Sequence, residues 1–585
     1  MQSDQFDRLE FGYYTGRINR RDFIKRSLAL GIALPTVMSV ASCGEKANEV
    51  QAKAANQKEL KSEYDYIVVG AGSAGCVIAA NLAEQSNSNV LLIEDGNWYE
   101  PDEERDPLTI PVSGRSYDGV KTHDYPYSVY GQDLVLSTGR GVGGGSRVNG
   151  SQYMRGYKQD FDEWETISGS SKWGYENVLS KYKDLENFDG IINEYHGYEG
   201  KLYVNDLATS RSHVNKIISG MDSIGIKFFD DINGEILNGS EGCGYAQALV
   251  NGHKRYSVLH SYLYPQLSNE NLTIATNKKV TKLLISVNSQ CLGLEYLDSD
   301  GLKKINVGKE LILSAGAMES PTILQRSGVG DRELLESLEV EVKKDLPGVG
   351  QNLMDHPHFF YNIYLNNSLP SEGYFISSAA HVKSSPTLEI PDIQFDFIDN
   401  MKQESIDEAF PGLGFDATRM LSALIHLNKP VSKGSVQIVS KDSSRKPIVD
   451  PNFLGEQEDI DAVISAFKIA VNIFENSFET SEYVTLPDYF GALGLPFPVP
   501  QTDDEIFQLY VLPTMGTAWH SCGTCAMGTS EESVVDAELK VHGITNLRVA
   551  DASVMPTIPR CNTMAPSILI GEMATEFILA DAEVS

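Results

Sequence analysis

The pattern of apolar positions just beyond residue 63 predicts a strand, a helix and a second strand. Tyr66–Val69 is a short, continuous apolar run with β-branched residues, which is typical of a buried parallel strand. Apolar residues at helical spacing follow as far as Leu82, and a second apolar run covers Val90–Ile93. This order of elements predicts a βαβ unit.

Three glycines lie between the first strand and the helix in the pattern G-x-G-x-x-G, at Gly70, Gly72 and Gly75. The first allows a tight turn, the second lets the backbone approach a pyrophosphate, and the third lets the helix pack closely on the strand. Ser73 opens the helix, whose N-terminus would face the phosphates. Glu94 ends the second strand, 19 residues after Gly75, and can hold ribose hydroxyls. The pattern predicts a dinucleotide site rather than a structural turn, with FAD and NAD both open.

A second glycine-rich segment, GRGVGGGSRVNG, covers residues 139–150. Its consecutive glycines offer backbone N–H groups that can form an anion-binding nest. No strand–helix–strand pattern with a terminal acid accompanies the segment, so we do not expect a second βαβ site. One dinucleotide fold with a further glycine-rich cradle favours a single long cofactor.

Composition narrows the classes of partner. The chain of 585 residues has 48 basic and 80 acidic residues, which give a net charge of −32. A basic footprint for DNA or RNA is missing, so no nucleic-acid partner is expected. The same charge indicates high solubility and weak attraction to anionic membranes. The seven cysteines are too few and too scattered for a disulfide framework.

The N-terminus has the layout of a cleavable export signal rather than of a membrane span. The pair Arg20–Arg21 precedes an apolar run at about residues 28–41, which is too short to cross a bilayer. The paired arginines resemble a Tat signal, and the ending VASC resembles a bacterial lipoprotein box. We expect residues 1–43 to direct Tat export to the periplasm or cell surface, with a lipid anchor at Cys43, and residues 44–63 to form a linker. An amphipathic N-terminal helix with chance arginines is the alternative.

The segment TAWHSCGTCAMG, residues 517–528, combines one histidine with a C-x-x-C pair. Taken alone, it allows two interpretations. Cys522 and Cys525 could form a thiol redox or metal site, or His520 could be the reactive residue with inert cysteines beside it. No metal site is expected, because no second Cys/His cluster completes four zinc ligands, although DHPH occurs at residues 355–358.

Six motifs in order resemble the glucose–methanol–choline (GMC) family of FAD oxidoreductases, and the resemblance covers roughly residues 64–580. Two of them are the glycine fingerprint (residues 70–75) and GRGVGGGSRVNG. The others are LSAGAMESPTILQRSGVG, LPGVGQNLMDHP, GSVQIVSKDSSRKPIVDPNFL, and WHSCGTCAMG followed by LRVADASVMPTIPRCNTMAPSILIGEMA.

The resemblance implies an α/β fold (α+β overall). In this fold a Rossmann-type FAD-binding domain is built from discontinuous segments, and a substrate domain carries an antiparallel sheet. The strand-like segments HFFYNIYL (358–365) and DIQFDFID (392–399) and the helical spacing at 459–475 agree with it. The implied division is 64–330 for the FAD-binding region with part of the substrate domain, 331–430 for mainly the substrate domain, and 431–580 for the C-terminal region that returns to the FAD domain.

The resemblance also implies which residues meet FAD. The matching positions are Gly70, Gly72, Ser73, Gly75 and Glu94 at the adenosine and pyrophosphate, Gly143 and Asn149 near the pyrophosphate and ribityl chain, Val280 at the adenine, and Asp551 and Ala552 at the ribityl chain and flavin. Some members attach FAD covalently through a histidine just before the asparagine. Because that position is Val148 here, we expect noncovalent FAD.

For the segment with two interpretations, the resemblance favours His520. It matches the family histidine that acts on the substrate alcohol, and Asn562 matches a second histidine or asparagine some forty residues later. A histidine has a pKa suited to a general base near neutral pH, and an asparagine can hydrogen-bond the substrate oxygen. The implied reaction oxidises the CH–OH group of an alcohol, polyol, sugar or choline-like substrate by hydride transfer to flavin N5. Electrons then pass to an external acceptor, for which an anchored location favours a membrane quinone or a cytochrome.

Several alternatives stay open at this stage. An alcohol oxidase that produces H2O2 would differ in its electron acceptor, and a lyase such as a hydroxynitrile lyase would use the same fold without oxidising an alcohol. A non-catalytic binding protein would have no need of Glu94, His520 and Asn562 together. Trp519 and the tyrosines of residues 360–400 either line a pocket or belong to the core. Cys525 is expected to be buried and inert, and a Cys522–Cys561 disulfide is a separate hypothesis.

Overall fold

The computed structural model describes residues 59–98, 121–209, 211–251, 254–370, 374–399, 412–495 and 498–584, together with positions 401, 403, 406 and 407. The predicted export segment, Cys43 and most of the predicted linker lie outside the described residues. Strand β1 begins at Glu63, which is the last residue of the predicted linker.

In chain order the strands are β1 (Glu63–Val69), β2 (Val90–Ile93), β3 (Lys121–Val129), β4 (Gln132–Arg140), β5 (Glu186–Asp189), β6 (Leu202–Asp206), β7 (Gly242–Tyr245), β8 (Gln247–Ala248), β9 (Val250–Asn251), β10 (Lys254–Arg255), β11 (Leu272–Ala275), β12 (Lys279–Ile285), β13 (Cys291–Asp298), β14 (Gly301–Leu313), β15 (Val329–Gly330), β16 (Lys344–Asp345), β17 (Pro357–Leu365), β18 (Ile376–Val382), β19 (Ile393–Ile398), β20 (Met420–Leu427), β21 (Ser435–Gln437), β22 (Ile448–Asp450), β23 (Tyr483–Thr485), β24 (Gly516–Thr517) and β25 (Leu547–Val549). The helices are α1 (Ser73–Gln85), α2 (Lys158–Ser168), α3 (Tyr175–Leu185), α4 (Ser212–Ser223), α5 (Gly316–Arg326), α6 (Arg332–Ser337), α7 (Gln457–Ser477), α8 (Leu486–Ala492), α9 (Asp503–Ile506), α10 (Leu512–Thr514) and α11 (Met564–Val584).

The first large sheet contains the predicted βαβ unit, formed by β1, α1 and β2. Its strand order is β11-β2-β1-β14-β13-β12, with β25 paired to β14. The pairs β1–β2, β1–β14, β2–β11 and β14–β25 are parallel, whereas β12–β13 and β13–β14 are antiparallel. Tyr66–Val69 is buried because α1 and α11 share one core with these strands. The strands come from distant parts of the chain, which confirms a Rossmann-type domain built from discontinuous segments.

The second large sheet is antiparallel, with strand order β23-β17-β20-β19-β18-β7 and β24 paired to β17. The predicted strands at 358–365 and 392–399 are β17 and β19, and the predicted helix at 459–475 is α7. One face of the sheet packs on α7, where the Tyr361 ring lies 5.4 Å from that of Phe467 and 5.6 Å from that of Phe474. Because side chains alternate along a strand, the neighbouring positions of β17 face the other side.

This arrangement is the substrate sheet that the sequence led us to expect, and the mixed α/β architecture is confirmed. The exact boundaries at residues 330 and 430 stay predictions. Smaller pairings accompany the two sheets, including the hairpin β3–β4 and the three-stranded sheet β5-β6-β8. No helix within the described ranges is both long enough and apolar enough to cross a membrane.

Candidate active site

One cavity of ≈ 400 Å³ has walls from both large sheets. Its lining includes most of the residues that the sequence predicts to be functional, namely Gly70, Gly72, Ser73, Glu94, Asn149, Val280, His520, Asp551, Ala552 and Asn562. The glycine fingerprint and the histidine of the C-x-x-C segment, which are far apart in sequence, therefore open onto the same space.

Gly75 and Gly143 do not line the cavity but hold its wall together. A Cβ atom on Gly75 would lie 1.9 Å from the carbonyl oxygen of Gly70, so close packing of α1 on the turn requires glycine there. The N–H of Gly143 donates to the carbonyl oxygen of Ala71 at 2.7 Å. Gly144 and Gly145 line the cavity in its place.

The two glycine-rich segments touch each other. Gly144 has φ +48°, and a Cβ atom there would lie 2.7 Å from the Cα atom of Gly72. A side chain at Gly144 would therefore push the loops apart, whereas a Cβ atom at Gly72 would meet only the carbonyl oxygen of Ser314, at 4.0 Å. The contact makes a single cradle of backbone from the two segments, as expected for one long cofactor.

Glu94 connects three parts of this cradle. Its Oε2 accepts a hydrogen bond from the N–H of Ala71 at 2.9 Å. Its Oε1 accepts from the N–H of Gly96 at 2.8 Å and from that of Gly141 at 3.0 Å. The carboxylate thus fixes the fingerprint and the second glycine segment relative to β2, at the edge of the cavity.

Asp551, which follows β25 in the same sheet, holds another part of the wall. Its Oδ2 accepts from the N–H of Gly316 at 2.8 Å and from Ser320 Oγ at 2.6 Å, and its Oδ1 accepts from the N–H of Ser553 at 2.7 Å. Burial raises the pKa of this carboxyl, while the three donors oppose the shift. Asn149 is fixed similarly, since its Oδ1 accepts from the N–H of Ser151 at 3.0 Å.

His520 and Asn562 lie side by side at the other end of the cavity. Asn562 Nδ2 is 3.2 Å from His520 Nε2, and His520 Nδ1 is 2.9 Å from Nδ1 of His356. Gln394 Nε2 donates to Asn562 Oδ1 at 3.5 Å, and Asn428 Nδ2 donates to Gln394 Oε1 at 2.9 Å. These contacts determine which atom is the oxygen and which is the nitrogen in the side-chain amides of Gln394 and Asn562.

The assignment determines the tautomer of His520. An amide nitrogen only donates, so His520 Nε2 must accept from Asn562 and carries a lone pair. The hydrogen of the neutral ring is then on Nδ1, which donates to Nδ1 of His356. His520 therefore presents an unprotonated nitrogen at the cavity, which a general base requires.

The pKa of His520 lies well below its ordinary value of 6.5. Burial is the main cause, and nearby His356, His426 and His358 add to it because a second positive charge among them is unfavourable. The pKa of His356 is also far below the usual range, for the same two reasons. Both rings are thus held neutral near pH 7.

Asp355 holds the loop that carries His520. Its carboxylate accepts from Thr517 Oγ1 at 2.7 Å, from Ser521 Oγ at 2.6 Å and from the N–H of His520 at 3.0 Å. Burial raises its pKa to about 6, even though these donors favour the charged form. Trp519 within the loop has φ +60°, a left-handed conformation that is uncommon outside glycine.

Beyond His520 and Asn562, which are the predicted catalytic pair, the second sheet presents what we call the substrate face. It consists of His358 and Phe360 from β17, Leu424 and His426 from β20, and Asp396 and Ile398 from β19, all of which line the cavity. The register places His358 opposite His426 and Asp396 opposite Leu424.

The carboxylate of Asp396 is held from several sides. Its Oδ2 is 3.1 Å from Nε2 of His426, and its Oδ1 accepts from Gln152 Nε2 at 2.8 Å. Gln394 Nε2 lies 3.0 Å from both carboxylate oxygens. The same glutamine contacts Asn562, so the substrate face is linked to Asn562 and His520.

Comparison with known proteins decides the family. Residues 64–358 match the N-terminal part of the GMC oxidoreductase family, and residues 430–571 match its C-terminal part. This chain belongs to the GMC oxidoreductase family.

The relatives and solved structures agree with that assignment. An oxygen-dependent choline dehydrogenase of Escherichia coli O17:K52:H18 is 32% identical over 556 residues, which cover 88% of this chain and 95% of that protein. Pyridoxine 4-oxidase from Mesorbium loti has a TM-score of 0.77 at 27% identity, covering 88% of this chain and 98% of that one. A formate oxidase of Aspergillus oryzae RIB40 has the same fold, with a TM-score of 0.77 at 22% identity over 90% of this chain and all of that one.

As a GMC oxidoreductase, the chain is an enzyme that binds FAD. The residues present fit that cofactor. The glycine cradle would accept its pyrophosphate, because bare backbone lines the cavity at Gly70, Gly72 and Gly144. The same cavity continues from there to His520, so one extended molecule can reach from the glycine cradle to His520 and Asn562.

The cysteines of the GMC motif are not a redox site in this structure. Cys522, Cys525 and Cys561 are fully buried free thiols, and burial raises the pKa of each well above its usual value. The hypothesis of a Cys522–Cys561 disulfide is therefore wrong for this structure. Within the described residues, no group of three His, Cys, Asp or Glu side chains is arranged to hold a metal ion.

Sequence reasoning missed several residues of the site, namely Gln152, Asp355, His356, His358, Asp396 and His426. His356 lies in the motif LPGVGQNLMDHP, in which we assigned no function to it, and in the segment DHPH, which we considered as a source of zinc ligands. Asp396 lies in a predicted strand, but its direction depends on the sheet. Trp519 does line the cavity, whereas Tyr361 belongs to the core against α7.

Proposed function

We propose that this GMC oxidoreductase oxidises a CH–OH group of a small alcohol to a carbonyl, with His520 as the general base and electrons passed to an external acceptor. One observation carries the proposal: Asn562 donates a hydrogen bond to Nε2 of His520, so this nitrogen is unprotonated. His520 lines the same cavity as the glycine cradle. Oxidation of an alcohol removes a proton from oxygen and a hydride from carbon. A base must therefore lie within hydrogen-bond distance of the substrate hydroxyl.

The residues divide this work between them. His520 takes the hydroxyl proton on Nε2, and Asn562 hydrogen-bonds the same oxygen and fixes its position. His520 then carries two N–H groups, of which Nδ1–H stays hydrogen-bonded to His356. FAD, when bound, supplies the hydride acceptor. Removal of the proton and the hydride leaves a C=O double bond.

We expect FAD to be held without a covalent bond. Val148 lines the cavity at the position where some family members have a histidine, and a valine side chain has no nucleophile. The predicted contacts of Glu94, Asn149, Val280, Asp551 and Ala552 with FAD belong to the same proposal. Extraction with acid would release all of the flavin from the protein if the bond is absent.

The electron acceptor is the open part of the proposal. A quinone or a cytochrome suits an anchored protein, but the names of two similar proteins, oxygen-dependent choline dehydrogenase and pyridoxine 4-oxidase, favour oxygen as a second candidate. Tat export and a lipid anchor at Cys43 stay predictions. Cell fractionation of the native chain beside a Cys43→Ala variant tests the anchor.

An anaerobic titration tests the reaction type. The FAD-loaded protein is mixed with a panel of alcohols, and the flavin absorbance near its visible maximum is followed. Bleaching by one class of alcohol supports the proposal, and readmission of air separates an oxidase from a dehydrogenase by the rate of H2O2 formation. If no alcohol bleaches the flavin, a lyase reaction on the same fold becomes the better assignment.

A further inference from the structure

The substrate end of the cavity contains polar atoms that the protein itself leaves without hydrogen bonds. Besides Ser151 Oγ, which follows the second glycine-rich segment, three lining side chains of the described residues each carry one such buried atom at this end, namely Gln152 Oε1, His358 Nδ1 and His426 Nδ1. These residues are only 4%, 6% and 4% exposed. Because buried polar atoms are nearly always paired, three at one end of a cavity indicate a ligand that pairs with them.

The contacts of the same side chains define what each atom needs. Gln152 uses its amide nitrogen on Asp396, so Oε1 can only accept a hydrogen bond. His426 uses Nε2 on the other oxygen of Asp396, which leaves Nδ1 for a ligand. Burial and the charge of His426 lower the pKa of His358 to about 3, so its ring is neutral. A hydroxyl group can pair with each of these atoms, since it both donates and accepts.

A quaternary ammonium group, as in choline, fits this end poorly. Such a group has no N–H or O–H, so all three atoms would stay unpaired. It prefers aromatic faces beside an available carboxylate. Phe360, Phe375 and Trp519 do line the cavity, but the carboxylate on the substrate face, Asp396, already receives hydrogen bonds from two glutamines and His426.

Resting on the proposed oxidation at His520, we propose that the substrate is a polyhydroxylated alcohol, a polyol or a sugar. Its further hydroxyl groups pair with Gln152, His358 and His426. The reacting hydroxyl lies at His520 and Asn562, and the neighbouring hydroxyls reach the substrate face. Specificity then comes from polar atoms that an alcohol with a single hydroxyl leaves unpaired.

The test compares substrates of matched carbon number on the FAD-loaded protein. Anaerobic flavin bleaching gives kcat/KM for 1-pentanol, xylitol, a five-carbon sugar and choline. We expect the best polyhydroxylated compound to exceed both 1-pentanol and choline by at least about 100-fold, because a site built for hydroxyl groups rejects analogues without them. A higher kcat/KM for choline or for 1-pentanol overturns the substrate class and leaves the oxidation intact.

Two variants test whether the preference for polyhydroxylated substrates depends on His358 and Gln152. His358→Phe keeps the ring and removes its nitrogens, and it should lower the ratio of xylitol to 1-pentanol kcat/KM about tenfold. Gln152→Met is the second variant and should act in the same direction. His381→Phe is the control, because His381 pairs with Gln394 in the same row of the sheet and is buried, yet it does not line the cavity. An unchanged ratio in both site variants, with normal FAD content, overturns the assignment.

Calorimetry tests binding of a polyhydroxylated substrate separately from its oxidation. If no alcohol bleaches the flavin, the proposed oxidation fails, and binding of xylitol to the FAD-loaded protein then decides the substrate class. Xylitol binding that His358→Phe weakens supports the polyhydroxyl site, whereas no detectable binding overturns it.

Discussion

Nδ1 of His356 lies 2.9 Å from Nδ1 of His520, and this contact determines which nitrogen of His520 can act as a base. Two neutral rings can share one hydrogen bond at this distance only if one Nδ1 donates and the other accepts. Asn562 occupies the Nε2 side as a donor, so His520 donates through Nδ1 and His356 accepts. A neutral ring thus takes the orienting role that a carboxylate has in other catalytic histidine pairs.

Replacement of His356 tests that role. His356→Leu removes the acceptor and should lower kcat about 10- to 100-fold, because His520 can then rotate or carry its hydrogen on Nε2. His356→Gln retains an acceptor and should recover part of the loss. The pH profile of kcat/KM, measured for both variants, distinguishes an orienting role from a general loss of structure. Equal loss in both variants with an unshifted profile would contradict it.

Removal of the base itself should have the largest effect on the chemical step. We expect His520→Ala to lower the rate of anaerobic flavin bleaching by a factor on the order of 10²–10⁴. The visible spectrum should still show bound FAD, since the predicted cofactor contacts lie elsewhere in the cavity. His542→Ala is a matched control, because His542 contacts the carbonyl oxygen of Gly528 and does not line the cavity.

The lowered pKa of His520 predicts an unusual pH dependence. The neutral ring is the active form, so kcat/KM should fall as pH falls through the pKa of His520 in the folded protein. Because burial and the neighbouring histidines hold that pKa well below 6.5, activity should persist through mildly acidic pH. An inflection of kcat/KM at the ordinary histidine value would show that the ring is more easily protonated than the structure indicates.

A second histidine should make stability depend on pH. His196 Nδ1 lies 2.7 Å from Glu186, and its Nε2 lies 3.1 Å from Asp231. Burial alone would lower its pKa, but the hydrogen bonds to Asp231 and Glu186 outweigh burial and raise the pKa above 6.5. Its stabilising contribution is thus complete below pH 6.5 and is lost as pH rises through the raised value.

His196→Asn should therefore lower the free energy of unfolding by about 3 kcal/mol at pH 6, because a buried ionic contact loses one partner. The difference from the native protein should shrink at pH 9. Melting temperatures at both pH values, with His542→Asn as the control, measure the change. A difference that grows towards pH 9 would contradict the assigned sign.

Substitution of a glycine in the cradle is expected to reduce FAD binding while the protein still folds. A Cβ atom at residue 144 would press on the Cα of Gly72, and φ +48° disfavours any other residue there. Gly144→Ala should therefore reduce the amount of FAD bound per chain. Gly491→Ala is the control, because a Cβ there meets no atom within 4 Å. Flavin absorbance relative to protein absorbance after purification measures the outcome, and equal FAD content in both variants would count against the cradle.

Prediction from the sequence succeeded where the information is local. The βαβ unit, its glycines and Glu94 lie within a stretch of about thirty residues, and turn geometry and strand burial dictate their types. The pairing of Gln152 with Asp396 is different, since 244 positions separate the two residues. A shift of β19 by one residue would turn Asp396 towards α7, and the pairing of β19 with β18 and β20 excludes it.

The sequence by itself determined the family resemblance, the cofactor class and the residue types at the predicted catalytic pair, because each rests on a short motif whose spacing has a direct physical reason. Tertiary structure alone decided the tautomer of His520, the orienting contact with His356 and the unpaired atoms of the substrate face. Those features depend on distances of about 3 Å between segments far apart in the chain. Strand register and loop closure set such distances, and neither is encoded in any one segment.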